Sequence, residues 1–166
     1  FLRFSYTEEV PLTKTPVKEQ IICSVDLGLN TDAVCTIMRA DGTVLGRKFI
    51  DFPSEKDRMY RVLGRIRRFQ REHGSAQAKS RWAYAKRLNI ELGRKIAGAV
   101  TKYAKENHAD IIVFEYLEIK GKISGKKKQK LHLWRKRDIQ KRCEHQVHRN
   151  GIRVSRICAW NTSRLA

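Results

Sequence analysis

Two acidic residues stand where an acid is costly. Asp26 falls late in the run Ile-Ile-Cys-Ser-Val-Asp-Leu-Gly-Leu over residues 21–29, and Glu115 late in Ile-Ile-Val-Phe-Glu-Tyr-Leu over 111–117. Apolar runs of this length read as strands buried on both faces. A carboxylate inside one carries a desolvation penalty, and a divalent cation is its usual compensator. If the two strands are neighbours, both acids converge on one edge of the sheet. Hard oxygen ligands suit Mg²⁺ or Mn²⁺, and two such ions about 4 Å apart activate a water and stabilise the leaving oxygen of a phosphodiester. The bland alternative is that Asp26 caps a turn and Glu115 pairs with an arginine. Among the other acids, Asp32, Asp41 and Asp51 read as turn or strand-end residues. Glu118 reads as outward-facing or paired with Lys120, with a ligand role as its alternative.

The charge of the chain names a partner for such chemistry. In 166 residues, 36 Lys+Arg oppose 17 Asp+Glu, a formal net charge of +19. Arg58, Arg61, Arg65, Arg67, Arg68 and Arg71 recur along one helical segment, so the cations are not confined to a tail. Counterion release from a polyanion is a strong, salt-dependent driving force, which points to nucleic acid. An anionic membrane surface would demand a strongly apolar face opposite the charge, and solubility alone needs far less charge. No run of about 18 apolar residues can span a bilayer, and no signal peptide is visible at the start. These features imply a cytoplasmic, nucleoid-associated setting. The hydrophobic fraction of 41% argues against wholesale disorder.

Cys143, His145, His148 and Cys158 invite a zinc reading. No C-x-x-C pair is present, however, and Cys143 shares a spacing-of-four stripe with Ile139 and Val147, the mark of a helix core face. Cys23 and Cys35 lie inside apolar strands, where a thiol acts as a small hydrophobe.

Several elements must position the two acids. Residues 1–20 read as a short strand (Leu2, Phe4, Tyr6) and a Pro-bearing linker. Strands follow at 21–29, 33–38 and 43–52, with Asp41-Gly42 as a hairpin turn. Pro53 opens a helix with a Met59, Leu63, Ile66 stripe that stops at Gly74. A second helix covers about 81–107, with Leu88, Leu92, Ile96 and Val100 at spacing four. A strand over 110–119 leads into a Gly/Ser/Lys-rich basic segment, 120–130. A third helix over roughly 133–149, capped by Asn150-Gly151, precedes a last strand over 152–159. The expected class is α/β: a three-stranded antiparallel meander plus two further strands in a mixed sheet, flanked by helices.

The motifs resemble a known family. Val25–Val34 (VDLGLNTDAV) resembles the first RuvC motif, and Ile111–Gly121 (IIVFEYLEIKG) the second, of TnpB nucleases and type V CRISPR effectors. Trp160-Asn161-Thr162-Ser163 resembles the stretch that leads into a zinc-ribbon-like insert in that family. The resemblance covers about 20–166. It implies an end of a preceding barrel-like domain and linker at 1–20, a RuvC core at 21–159 without its third motif, and the start of the insert at 160–166. It further implies an RNase H-like fold, an Asp, Glu and further Asp as the catalytic set, and RNA-guided, Mg²⁺-dependent cleavage of DNA. Asp26 matches the first acid and Glu115 the second. The third belongs beyond the insert, since Asp138 lies on the helix between the last two strands, so the chain reads as a piece of a larger effector that cleaves poorly alone. Guide RNA and target DNA are the implied partners, because base pairing reads sequence while the protein holds the heteroduplex in a basic channel.

Nucleic-acid contacts are expected from Asn30, Arg65, Arg68, Arg81, Lys126, Lys127 and Lys128. For Asn30 and Thr31 the competing role is holding the turn. For Trp82 it is core packing. Gly28 reads as permitting a close backbone approach or an unusual φ. An inactive module that binds guide RNA and DNA without cutting is the alternative function. An actin-like ATPase would require a second Gly-rich phosphate loop, which the sequence lacks.

Overall fold

The computed structural model describes residues 4–5, 7–116 and 136–158. Its elements are β1 (Ile21–Asp26), β2 (Ala33–Arg39), β3 (Val44–Ile50), α1 (Pro53–His73), α2 (Lys79–Glu106), β4 (Ile111–Tyr116), α3 (Lys136–His148) and β5 (Arg153–Cys158). The five strands form one mixed sheet in the order β3-β2-β1-β4-β5. β1–β2 and β2–β3 are antiparallel, and β1–β4 and β4–β5 are parallel. The expected meander and the two helix-connected strands are both present, in an α/β arrangement consistent with an RNase H-like fold.

The meander turns at Asp41-Gly42 because Gly42 takes φ +91°, a conformation open to glycine at no steric cost. There the Asp41 carboxylate accepts the Thr43 N–H at 2.8 Å. Gly151, at φ +77°, ends the turn after α3, and its N–H reaches the His148 carbonyl at 2.9 Å. Both Gly-based signals act as their chemistry requires.

The sheet buries one face. Cys23 and Val25 of β1, Cys35 and Ile37 of β2, and Ile112 and Phe114 of β4 meet Ile96, Ala97 and Val100 of α2 and Ile139, Cys143 and Val147 of α3. Residues that alternate with these, such as Ile22, Ser24, Ile111 and Val113, are half-buried. The strands therefore differ from the two-sided burial expected of them. Their continuous apolar runs conceal a real alternation, because isoleucine and valine occupy the less covered face as well.

A second, smaller cluster forms where α1 and the first half of α2 run past the sheet. Met59, Leu63 and Ile66 pack there with Ala78 and Ala85, and Trp82 and Leu88 lean on them. Trp82 thus takes the packing role weighed for it. The short strand anticipated near the start is absent at residues 4–5 and 7–16, and Phe4 is exposed. Residues 7–20 instead run as a strap with one 3-10 turn, Val17–Glu19. Leu2, Tyr6, Glu118, the basic segment 120–130 with Lys126, Lys127 and Lys128, and Trp160–Ser163 lie outside the described residues.

Candidate metal and nucleic-acid site

The register of β1 against β4 decides where the two acids stand. Ile22 lies opposite Ile111 and Ser24 opposite Val113. Two residues farther along each strand, the same face carries Asp26 and Glu115. Parallel neighbours lie about 4.8 Å apart, so the two carboxylates leave the sheet side by side at its C-terminal edge. The row continues to Val34 on β2, which opposes Asp26, and to Ile157 on β5, which opposes Glu115. A pair of acids is set into an otherwise apolar row.

Their burial differs from the expectation. Asp26 is exposed and Glu115 half-buried, because both alternate with the core residues Val25 and Phe114. Solvent access lowers the desolvation penalty and leaves the carboxylates open to a hydrated cation and a substrate.

A buried cation of the chain lies on the helix that packs against the end of β4. Lys136, the first residue of α3, is only 7% exposed. Burial pushes its ammonium below the ordinary lysine range, while Glu115 and then Asp26 pull it back up. One helical turn later the buried Gln140 donates to the Glu115 carbonyl at 3.1 Å, which pins α3 to the end of β4. Sequence reading did not single out Lys136. Its signal was positional: Lys136, Ile139, Gln140, Cys143 and Val147 share one buried stripe at spacings of three and four.

The loop after β1 is fixed from below. A Cβ on Gly28 would lie 2.6 Å from the Thr31 carbonyl oxygen, so a close approach, and not a positive φ, demands glycine. The Lys56 ammonium of α1 bonds the Asn30 carbonyl and the Asp51 carboxylate, and lies 3.8 Å from Asp32. Asp32 in turn accepts the Phe52 N–H at 2.8 Å. Burial raises its carboxyl above the usual range, against that bond and Lys56. Lys56 holds Asp51 below it. Asp32 and Asp51 thus serve the turn, as their strand-end positions implied. Asn30 lends its backbone to the turn while its side chain stays exposed.

Arg65, Arg68 and Arg81 are exposed on α1 and α2. Arg65 and Arg81 flank a depression of about 290 Å³ with Tyr84 and Ser80. The Arg81 guanidinium stacks over Phe69 at 4.0 Å, and Arg58 donates to the Tyr84 hydroxyl at 2.7 Å. These arginines form a basic ridge along α1 and the start of α2.

Cys143 is wholly buried, with its Sγ 3.8 Å from the Ala97 carbonyl. Burial pushes its thiol up to about 12, and zinc takes the thiolate. Cys158 stands exposed on β5. Among the described residues no three His, Cys, Asp or Glu side chains cluster as a metal site. No helix among them is long and apolar enough to cross a membrane.

No family model matches the chain, and no curated protein does. Solved structures do. The chain overlays a Cas12f1–sgRNA–target DNA complex with a TM-score of 0.68 at 20% identity, covering 86% of this chain and 37% of that one. It overlays a CRISPR-Cas12f ternary complex with a TM-score of 0.65, also at 20% identity, over 93% of this chain and 32% of the other. The fold is Cas12f-like. The chain spans about a third of the length of these effectors.

Proposed function

We propose that the chain is the RuvC-type nuclease region of an RNA-guided, DNA-targeting effector, and that Asp26 and Glu115 hold Mg²⁺ or Mn²⁺ there. The observation that carries this reading is the β1–β4 register, which sets two carboxylates side by side at the sheet edge. The donor set fits the ion: two hard carboxylate oxygens, accessible to water, beside a chain rich in phosphate-binding cations. The Cas12f-like fold supports the assignment to this class of protein.

A divalent ion bound here supplies Lewis-acid stabilisation of charge on the phosphodiester oxygens as the P–O bond breaks. The chain's own residues supply the geometry. Paired strands fix the spacing of the two carboxylates, and Gln140 fixes the peptide that carries Glu115. Gly28 lets the loop beyond Asp26 turn back tightly, leaving the edge clear for a strand of DNA. Arg65, Arg68 and Arg81 on the helical ridge, with Asn30 at the edge and Lys126, Lys127 and Lys128 in the basic segment, hold phosphates without reading bases. Two acids alone bind an ion weakly, and a third ligand from elsewhere in the effector completes the set.

The test is Asp26→Ala in the full-length effector with guide RNA and Mg²⁺. Loss of cleavage with target binding retained is the expected result. Undiminished cleavage overturns the proposal and leaves the alternative, a module that binds guide RNA and DNA without cutting.

A further inference from the structure

Where its two core clusters meet, the molecule holds a cavity of about 300 Å³. Met59 and Leu63 of α1 line it from the smaller cluster, and Leu92, Ile96 and Ile139 from the larger one. The loop after β1 closes one side through Gly28 and Leu29. The floor is apolar and offers water no hydrogen-bond partners, so a ligand with an apolar face gains by displacing the solvent that enters. The lining residues that reach solvent are polar. Asp57 is exposed, Asn89 is half-buried, and Tyr60 stands 70% exposed. Lys56 and Asp32 also line the cavity, but the loop engages them: Lys56 bonds the Asn30 carbonyl and Asp51, and Asp32 accepts the Phe52 N–H. An apolar floor with a few polar groups at the rim, at the lower end of the roughly 300–1,000 Å³ of ligand pockets, is the make-up of a small-ligand site.

The exposed surface of α1 indicates the ligand. From Tyr60 a line at helical spacing runs through Gly64, Arg67, Arg68 and Arg71, all exposed. A Cβ on Gly64 would meet nothing within 4 Å, so the path from the cavity to the arginines is open. A flat ring with an anionic tail matches both ends of it.

We propose that the cavity takes one unpaired nucleobase of a nucleic-acid strand, stacked on Tyr60, while the strand's phosphates run along α1 past Gly64 to Arg67, Arg68 and Arg71. The inference rests on nucleic acid as the partner in the reading above and needs neither the metal nor the acid pair. A paired base cannot enter, because its edge and its stack are engaged in the duplex. The site therefore selects single strand over duplex. Stacking on the Tyr60 ring tolerates any base, and the Asp57 carboxylate and Asn89 amide stand at the rim, where the polar edge of the base emerges.

The experiment measures target DNA binding by the full-length effector with guide RNA, in chelator so that no strand is cut. The guide fixes the register of the unpaired strand, and a series of targets carries one abasic site at each unpaired position in turn. In wild type one such position should cost about tenfold in affinity, the loss of one stacked base. Tyr60→Ala should lose about tenfold on the intact target, and the sensitive abasic position should then cost nothing further. Tyr60→Phe keeps the ring and should bind as wild type does. Leu92→Phe fills the cavity from α2 and should reproduce the loss with Tyr60 in place. Fully duplex DNA offered without guide should bind equally to wild type and all three variants. Three outcomes overturn the cavity: no sensitive position in wild type, Tyr60→Ala binding the intact target undiminished, or losses that simply add. The proposed function survives any of them if Asp26→Ala still abolishes cleavage. Adenosine or thymidine binding in the absence of DNA, abolished by Tyr60→Ala, assigns the cavity to a free nucleoside and overturns the strand as its source. Failure of wild type to bind guide-matched target overturns the proposed function, and this inference with it.

Discussion

The strand pair β1–β4 carries an acid cluster at one end and a single acid at the other, and chemistry treats the two ends oppositely. At the N-terminal end Asp110 is held by three donors. Its carboxylate accepts the Thr13 hydroxyl at 3.1 Å, the Thr15 hydroxyl at 2.6 Å and the Ile21 N–H at 2.8 Å. Burial alone would raise this carboxyl, but the three donors, with Arg153 nearby, hold it below the usual range. At the C-terminal end Asp26 and Glu115 share an edge and stay open to water. An acid held by three donors of the chain is a structural clasp, tying the 7–20 strap to the sheet. An acid left accessible beside another acid is open to water and solutes, and the proposed function makes it a metal ligand. The contrast is a claim about accessibility as much as identity, and substitutions at the two ends separate it.

The largest effect belongs to the C-terminal end. Asp26→Asn or Glu115→Gln should cut DNA cleavage by the full-length effector about a thousandfold, the rate equivalent of several kcal/mol of lost charge stabilisation. Target binding in a gel-shift assay and the melting temperature should stay close to wild type. A large loss of stability at these positions would make the two ends alike and break the comparison.

The N-terminal end should answer in the other observable. Asp110→Ala removes the acceptor of three donors, with a cost of about 2–3 kcal/mol, and at this chain length each 1 kcal/mol is a melting shift of roughly 2–4 °C. Cleavage per folded molecule should not change. The pH dependence has a definite sign. The folded carboxyl titrates below its unfolded value of about 3.9, so its stabilisation is complete above that value. It is lost as pH falls through the lower folded value. Acid unfolding of Asp110→Ala should therefore converge with wild type at the bottom of that window and diverge above it, which circular dichroism against pH reads directly.

Why one end was legible in the sequence and the other was not follows from what each depends on. Asp26 and Glu115 were visible because an acid interrupts an apolar run, and a single parallel register then sufficed to pair them. The meander and the helix stripes were visible for the same reason, as Met59, Leu63 and Ile66 show, being buried where their spacing placed them. Asp110 was hidden. Its donors come from the strap and the first residue of β1, 89 to 97 residues earlier, and no local pattern encodes a clasp across that separation. Lys136 was hidden by abundance: in a chain of 36 cations, one buried cation is distinguished by its register on a helix and not by its type.

Gly28→Ala sharpens the comparison from within the C-terminal end. The added methyl would meet the Thr31 carbonyl oxygen at 2.6 Å, and moving backbone to relieve it costs roughly 1–3 kcal/mol. The shift falls two residues after Asp26, so this variant should lose stability and cleavage together. Neither Asp26→Asn nor Asp110→Ala should do so. A melting curve and a cleavage rate measured on one preparation distinguish the three outcomes.

The smallest expected effect lies on the helical ridge, away from both ends. Arg65→Ala and Arg68→Ala remove exposed cations, and exposed arginine without a buried partner adds little to stability. Each should leave the melting temperature and the Mn²⁺ affinity of the acid pair unchanged. Target binding should weaken uniformly across sequences, and the slope of log affinity against log salt should flatten by about 0.9 per lost phosphate contact on duplex DNA. Arg81→Ala should do less in the same assay, because its guanidinium is already stacked on Phe69 at 4.0 Å and leaves that ring to reach a phosphate. If Arg81→Ala flattens the salt slope as much as Arg65→Ala, the stack on Phe69 presents the guanidinium to nucleic acid and does not withhold it. The ridge then begins at α2 as well as α1.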